Sequence, residues 1–152
     1  MIAIALITII AIKKEKRSRR QMVCLLIAGA YTEIVLLLTL LLRHSYNGTH
    51  LKIIPFWIFS EVNRYGLKHV VQEVVVNLLM FFPIGLFISM GLSHLKTMTI
   101  LFIGLGLSLI VESLQFFLKV GAFEINDLIF NTVGIYVGHL LGVYLTSLSK
   151  SH

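Results

Sequence analysis

The sequence has little charge, little proline and almost no cysteine. Only 13% of its 152 residues are charged, about half the share of roughly 25% that is usual in soluble globular proteins. A composition so poor in charge and so rich in apolar residues excludes a disordered or a fibrous chain. The single cysteine, Cys24, excludes an internal disulfide and a thiolate metal cluster.

Apolar residues dominate the composition. They make up 57% of the chain, and the mean hydropathy is +0.92. A soluble domain of this size has too much surface for its volume to bury so many apolar side chains. The composition therefore predicts an integral membrane protein and excludes an ordinary soluble enzyme.

Five apolar runs predict a single all-α membrane domain. The predicted spans are residues 1–14, 22–42, 70–90, 97–118 and 127–148, and the last four have the roughly 20 residues that a spanning helix needs. The apolar part of the first is only residues 1–12, so it crosses the bilayer only if the lysine side chains that follow it reach back to the surface. We expect a polytopic bundle of five helices, or of four if the first run lies at the interface.

Basic residues predict the orientation. Six of the 13 lysines and arginines lie in residues 13–20, between two apolar runs. This is typical of a cytoplasmic loop, and it explains the net charge of +6 without nucleic acid as a partner. With that loop inside, cytoplasmic segments carry eight basic residues and outer segments carry five. We expect a multi-pass cell-membrane protein with a cytoplasmic carboxyl terminus and with residues 43–69 outside.

Polar side chains inside the runs recur at helical spacing. One face of the fourth run carries Gly104, Ser108, Glu112 and Gln115. Their spacing of four, four and three residues confines this stripe to about 80° of the helix. The third run carries Glu73 and Asn77 one turn apart, and the fifth begins with Asp127 and Asn131. Because polar groups are costly in a bilayer and usually face the bundle interior, we expect the three faces to converge.

In the predicted orientation these faces lie at one depth, in the outer half of the membrane. This predicts a carboxylate–amide pocket open to the outer leaflet, formed by Asn77, Glu112, Gln115, Asp127 and Asn131. Secondary candidates are Glu73, Ser108 and Glu124. Structural alternatives remain. Ser108, Gln115 and Asn131 can join helices by hydrogen bonds, Asp127 can cap the fifth helix, and Glu73 can be a boundary residue.

Small residues indicate where helices pack closely. Gly134, Gly138 and Gly142 recur every four residues in the fifth run, a spacing typical of closely packed membrane helices. We expect Pro83 and Gly85 of the third run to serve helix packing as well.

The sequence gives no signal for a metal or a cofactor, and we predict neither. The six histidines are scattered without the spacing of metal ligands, and no nucleophile–base arrangement can be recognised. Whether the protein is an enzyme stays open, as does its oligomeric state. Glu33 and His139 lie near the centres of their spans and either pair or bond other neighbours.

Several segments in order resemble one family of membrane proteins. They read LKIIPF at residues 51–56, NLLMFFPIG at 77–85, SLIVESLQF at 108–116 and GAFEINDLIFNTVG at 121–134. Their order and spacing are similar to those of the VanZ-like family, and the resemblance covers residues 51–142. One departure is clear: many members carry arginine before the fifth run, where this chain has Gly121 and Ala122, and it has Glu124 where they have aspartate.

The resemblance implies a small bacterial membrane protein associated with resistance to teicoplanin and related lipoglycopeptides. Its expected partners are membrane lipids and either a lipid-linked wall precursor or the lipoglycopeptide, bound or screened at the outer-leaflet pocket. The alternative is a membrane-embedded enzyme that modifies such a precursor.

Overall fold

The structure is a computed structural model that describes residues 18–41 and 51–149. The first predicted span, residues 1–14, lies outside the described residues. In chain order the elements are α1 (Arg19–Leu41), β1 (Leu51–Lys52), a 3₁₀ helix (Trp57–Glu61), α2 (Val62–Tyr65), α3 (Leu67–Gly91), α4 (Thr97–Phe117), β2 (Phe123–Glu124) and α5 (Ile125–Leu148).

Four of the described helices, α1, α3, α4 and α5, are long and apolar enough to cross a bilayer. The shortest of them, α4, has 21 residues, which at about 1.5 Å per residue gives roughly 31 Å. This matches the hydrocarbon thickness of about 30 Å. The predicted all-α membrane bundle is therefore confirmed.

Helices α3 and α5 pack backbone against backbone. A Cβ added at Gly142 would lie 2.7 Å from the carbonyl oxygen of Leu86, and one added at Gly138 would lie 2.8 Å from the Leu86 nitrogen. Gly134 and Gly85 likewise face the backbone of the opposite helix. Only glycine permits so close an approach, and the short interaxial distance brings the polar side chains of the two helices within hydrogen-bonding range.

The apolar core lies among the four long helices. It is built from Val35, Phe81, Ile84, Ile100, Val111 and Ile135. Pro83 directly precedes Ile84 and is half-buried, and α3 continues through this proline although it has no N–H to donate. Large apolar side chains also cover the outside, and Phe102 and Phe117 are 72% and 77% exposed. Such exposure is unfavourable in water but suits contact with lipid tails.

Helix α3 begins, α4 ends and α5 begins at one end of the bundle, which we call the sheet end. There β1 and β2 pair in parallel, with Lys52 opposite Glu124. At the other end, Arg20 Nη1 donates a hydrogen bond to Ser149 Oγ and joins the start of α1 to the residue that follows α5. The polar residues predicted for the site all belong to the sheet end.

Candidate functional site

A polar cleft of about 220 Å³ lies between α3 and α5 at the sheet end. Its lining residues are His69, Gln72, Glu73, Val76, Asn77 and Asp127. His69, Glu73 and Asn77 are spaced by four residues, so they follow one face of α3 that drifts by only about 40° per step. Glu73 is half-buried, and among the described residues it has neither a hydrogen-bond nor an ion-pair partner.

A hydrogen bond between two nine-tenths-buried side chains forms part of the cleft wall. Asn77 Nδ2 donates to Asp127 Oδ1 at 2.7 Å, and both residues are 8% exposed. This hydrogen bond lies at the short end of the range for an N–H donor and an oxygen acceptor. It ties α3 to the first turn of α5 and uses one of the two N–H donors of the Asn77 amide.

Ser108 and Asn131 join α4 to α5. Asn131 Nδ2 donates to Ser108 Oγ at 2.9 Å, and Ser108 Oγ in turn approaches the backbone oxygen of Asp127 at 3.5 Å. Both side chains are essentially inaccessible, and neither lines the cleft. Their contacts are those of hydrogen bonds between packed membrane helices.

Glu112 stabilises the turn that leads into α5. Its Oε2 accepts a hydrogen bond from the backbone N–H of Glu124 at 3.0 Å, and the residue is 1% exposed. A buried backbone donor without a partner would be costly, so this carboxylate has a structural reason to lie deep in an apolar run.

Gln115 points in another direction. Its Nε2 donates to the backbone oxygen of Thr39 at 3.4 Å, and its backbone oxygen accepts from Val120 N at 3.0 Å. Gln115 therefore links the end of α4 to the end of α1, away from the cleft between α3 and α5.

An ion-paired lysine holds the segment before α3 onto the turn between α4 and α5. Lys52 Nζ lies 3.1 Å from Glu124 Oε1 and 3.3 Å from Glu61 Oε1. Burial lowers the pKa of Lys52, but the attraction of Glu124, followed by that of Glu61, outweighs this effect and raises the pKa above its ordinary 10.5. The lysine therefore stays charged at neutral pH, and we call this group of three residues the Lys52 clamp.

Asn126 supports the same segment. Its Oδ1 accepts a 2.6 Å hydrogen bond from the backbone N–H of Phe56, whose φ of 60° lies in the left-handed region. This conformation is unfavourable for a residue with a Cβ, so it needs local support. Asn126 is 1% exposed, and among the described residues its Nδ2 has no partner.

Three of the eight predicted site residues line the cleft: Asn77, Asp127 and Glu73. The other five, Ser108, Glu112, Gln115, Glu124 and Asn131, make contacts between elements at the same end of the bundle. The sequence reasoning missed His69, although its spacing of four residues from Glu73 was a usable signal. It also missed Asn126, which immediately precedes Asp127.

Comparison with known proteins decides the family. The profile of the VanZ/LLP1 family matches residues 22–146. The chain belongs to this family. Protein VanZ of Enterococcus faecium is 35% identical over 108 residues, a match that covers 71% of this chain and 59% of that protein. No solved structure matches the chain.

The family match confirms the resemblance seen in the sequence and reaches further, into α1 and almost to the end of α5. The structure also shows which residue pairs with Glu124 in this VanZ/LLP1 chain, which lacks the arginine that many members carry before the last helix. Glu124 takes its cation from Lys52 on the neighbouring strand, so the carboxylate is paired without an arginine in the turn at Gly121 and Ala122.

His139 lies far from the cleft of this VanZ/LLP1 protein. Its Nδ1 is 2.7 Å from Ser89 Oγ and its Nε2 is 3.3 Å from Thr97 Oγ1, near the end of α3 and the start of α4. Both ring nitrogens thus contact hydroxyl groups, and the contact considered between His139 and Glu33 is not formed. Within residues 18–41 and 51–149, no three His, Cys, Asp or Glu side chains are grouped so that they could hold a metal.

Proposed function

We propose that this VanZ/LLP1 family member contributes to resistance against teicoplanin and related lipoglycopeptides. It does so by binding, in the polar cleft, a lipid-linked component of the cell envelope or the antibiotic itself. Family membership and the identity to Protein VanZ support the resistance role. The cleft, with the Asn77–Asp127 hydrogen bond in its wall, is the observation that carries the binding mechanism.

The proposal places the sheet end at the outer face of the cell membrane. Helix α1 begins at Arg19, the end of the strongly basic segment 13–20, and at the bundle end opposite to the sheet end. The excess of basic residues near membrane spans favours the cytoplasmic side, which leaves the cleft on the side where wall precursors and antibiotics occur.

The depth of the cleft suits a ligand with a polar head and an apolar tail. His69 lies two residues after the start of α3, and Asn77 lies ten residues after it. At about 1.5 Å per residue the polar wall extends to roughly 15 Å from the helix start, about half the thickness of the hydrocarbon layer. A ligand head can enter from the membrane surface while its tail stays in lipid.

The size of the cleft limits how much of the ligand it encloses. Sites for drug-sized ligands usually measure about 300–1,000 Å³, whereas this cleft measures about 220 Å³. The cleft therefore takes one functional group or a short segment of a large ligand. The remainder of the ligand would lie along the bundle or in the bilayer.

The test is the inhibitory concentration of teicoplanin in a sensitive host that produces the protein. We expect the parent to raise it, and we expect Asn77→Asp and Asp127→Asn each to remove most of the protection. The two substitutions together exchange donor and acceptor, so they should restore part of it. Glu33→Gln, a carboxylate change on α1 outside the cleft lining, is the matched control, and membrane abundance is compared for all variants.

Two results would contradict the proposal. A parent that gives no protection would refute the resistance role. Cleft variants that all protect as well as the parent at equal abundance would refute the cleft as the place of action. Extracted wall precursors are analysed in parallel, since a chemically altered precursor would show catalysis instead of binding.

A further inference from the structure

Two of the five polar side chains that line the cleft are acidic, and the other three, His69, Gln72 and Asn77, can each donate and accept hydrogen bonds. Glu73 and Asp127 supply carboxylates, which only accept hydrogen bonds when ionised. Asn77 donates one N–H of its amide to Asp127, and its carbonyl oxygen adds a further acceptor. A ligand that brings hydrogen-bond donors therefore meets acceptors on Glu73, Asn77 and Asp127.

The charge of the cleft favours a cation. Five of the seven acidic residues of the chain belong to the sheet end: Glu61, Glu73, Glu112, Glu124 and Asp127. Lys52 pairs with two of them, Glu61 and Glu124, at the clamp. Glu73 lines the cleft with no cation at ion-pair distance among the described residues. A phosphate placed in the cleft would meet the acidic side chains of Glu73 and Asp127, whereas the lining contains only one basic side chain, that of His69.

We infer that the cleft binds a protonated primary amine of its ligand, with Glu73 as the counter-ion. This rests on the proposed function, since it names the part of the ligand that the cleft encloses. An ammonium group has three N–H donors, which match the acceptors of Glu73, Asn77 and Asp127. Such a group can come from the antibiotic or from an amine-bearing envelope component.

The test measures binding of three small probes to the purified full chain in neutral detergent. The probes are benzylammonium, benzyl alcohol and benzyl phosphate, which share one ring and differ in the group presented. Calorimetry at neutral pH should show saturable binding of benzylammonium, with an affinity about tenfold or more above that of the other two. Higher affinity for benzyl phosphate would overturn the inference.

Variants identify the counter-ion. Glu73→Gln should weaken benzylammonium binding about tenfold or more, because it removes the charge and keeps the size. Glu73→Asp keeps the charge and should retain most of the affinity. Glu33→Gln is the matched control and should bind as the parent does. Unchanged affinity in Glu73→Gln would overturn the inference, as would equal losses in Glu73→Asp and Glu73→Gln with thermal unfolding unchanged.

The amine site and the proposed function fail in different ways. A protein that protects cells from teicoplanin but does not bind benzylammonium overturns the inference alone. A protein that binds benzylammonium through Glu73 but gives no protection overturns the proposed function alone. Competition between teicoplanin and benzylammonium would identify the antibiotic as the source of the amine, and lack of competition would overturn that source in favour of an envelope component.

Discussion

Replacing Gly138 by alanine is expected to force α3 and α5 apart. The added Cβ would lie 2.8 Å from the Leu86 nitrogen and closer still to the carbonyl oxygen of Phe82, whereas ordinary contact begins at 3.4 Å. Both obstacles are backbone atoms, so no side chain can rotate away to make room. Overpacking of this kind costs about 1–3 kcal/mol.

The matched control is Gly106→Ala in α4, because nothing lies within 4 Å of the Cβ that it adds. Both changes carry the same gain in helix propensity of up to about 1 kcal/mol, so their difference isolates the clash. We expect Gly138→Ala to be about 1–3 kcal/mol less stable than Gly106→Ala, measured as the unfolding free energy in a titration with denaturing detergent. Equal stability of the two variants would refute the backbone contact between α3 and α5.

Three further predictions concern the sheet end. Glu112→Gln should keep the stability of the parent, since its amide oxygen can still accept from Glu124 N, whereas Glu112→Leu should lose about 1–3 kcal/mol of unfolding free energy. Folding raises the pKa of Lys52. The stabilisation from its ion pairs is therefore fully present at pH values below the ordinary pKa of 10.5, and it is lost as the pH rises through the higher pKa of the folded state. Thermal unfolding should therefore shift down in strongly alkaline solution, and Lys52→Met should lack this step. In a Cys24→Ser background, an impermeant thiol reagent should label Asn63→Cys but not His94→Cys in intact cells; the reverse would refute the orientation.

The helices were predictable because long apolar runs leave few alternatives in a bilayer, where backbone groups must be satisfied within the segment. Their ends were harder to place. Helix α1 begins at Arg19 and not at residue 22, and α3 begins at Leu67 and not at residue 70. A helix can extend beyond the hydrocarbon layer, because charged side chains such as Arg19 can be solvated at the membrane surface. Hydropathy therefore predicts the segment inside the hydrocarbon layer and not the residue at which the helix begins.

The polar stripes indicated which helix faces meet but not which atoms pair. Gln115 and Glu112 lie on one stripe, yet one bonds to α1 and the other to the turn before α5. Such choices depend on small rotations of whole helices and on the path of the turn. The Lys52 clamp was beyond sequence reasoning because Glu124 lies 72 residues further along the chain, and no local pattern connects the two.

The central claim is that the polar cleft is where this protein acts, and blocking the cleft in the folded protein tests it most directly. Val76 lines the cleft, so Val76→Cys in a Cys24→Ser background places one reactive thiol there. Asn63→Cys, exposed and outside the cleft lining, is the control. After an impermeant thiol reagent is applied to intact cells, killing by teicoplanin should rise to the unprotected level for Val76→Cys and stay unchanged for Asn63→Cys. Full protection by a completely labelled Val76→Cys protein would contradict the account.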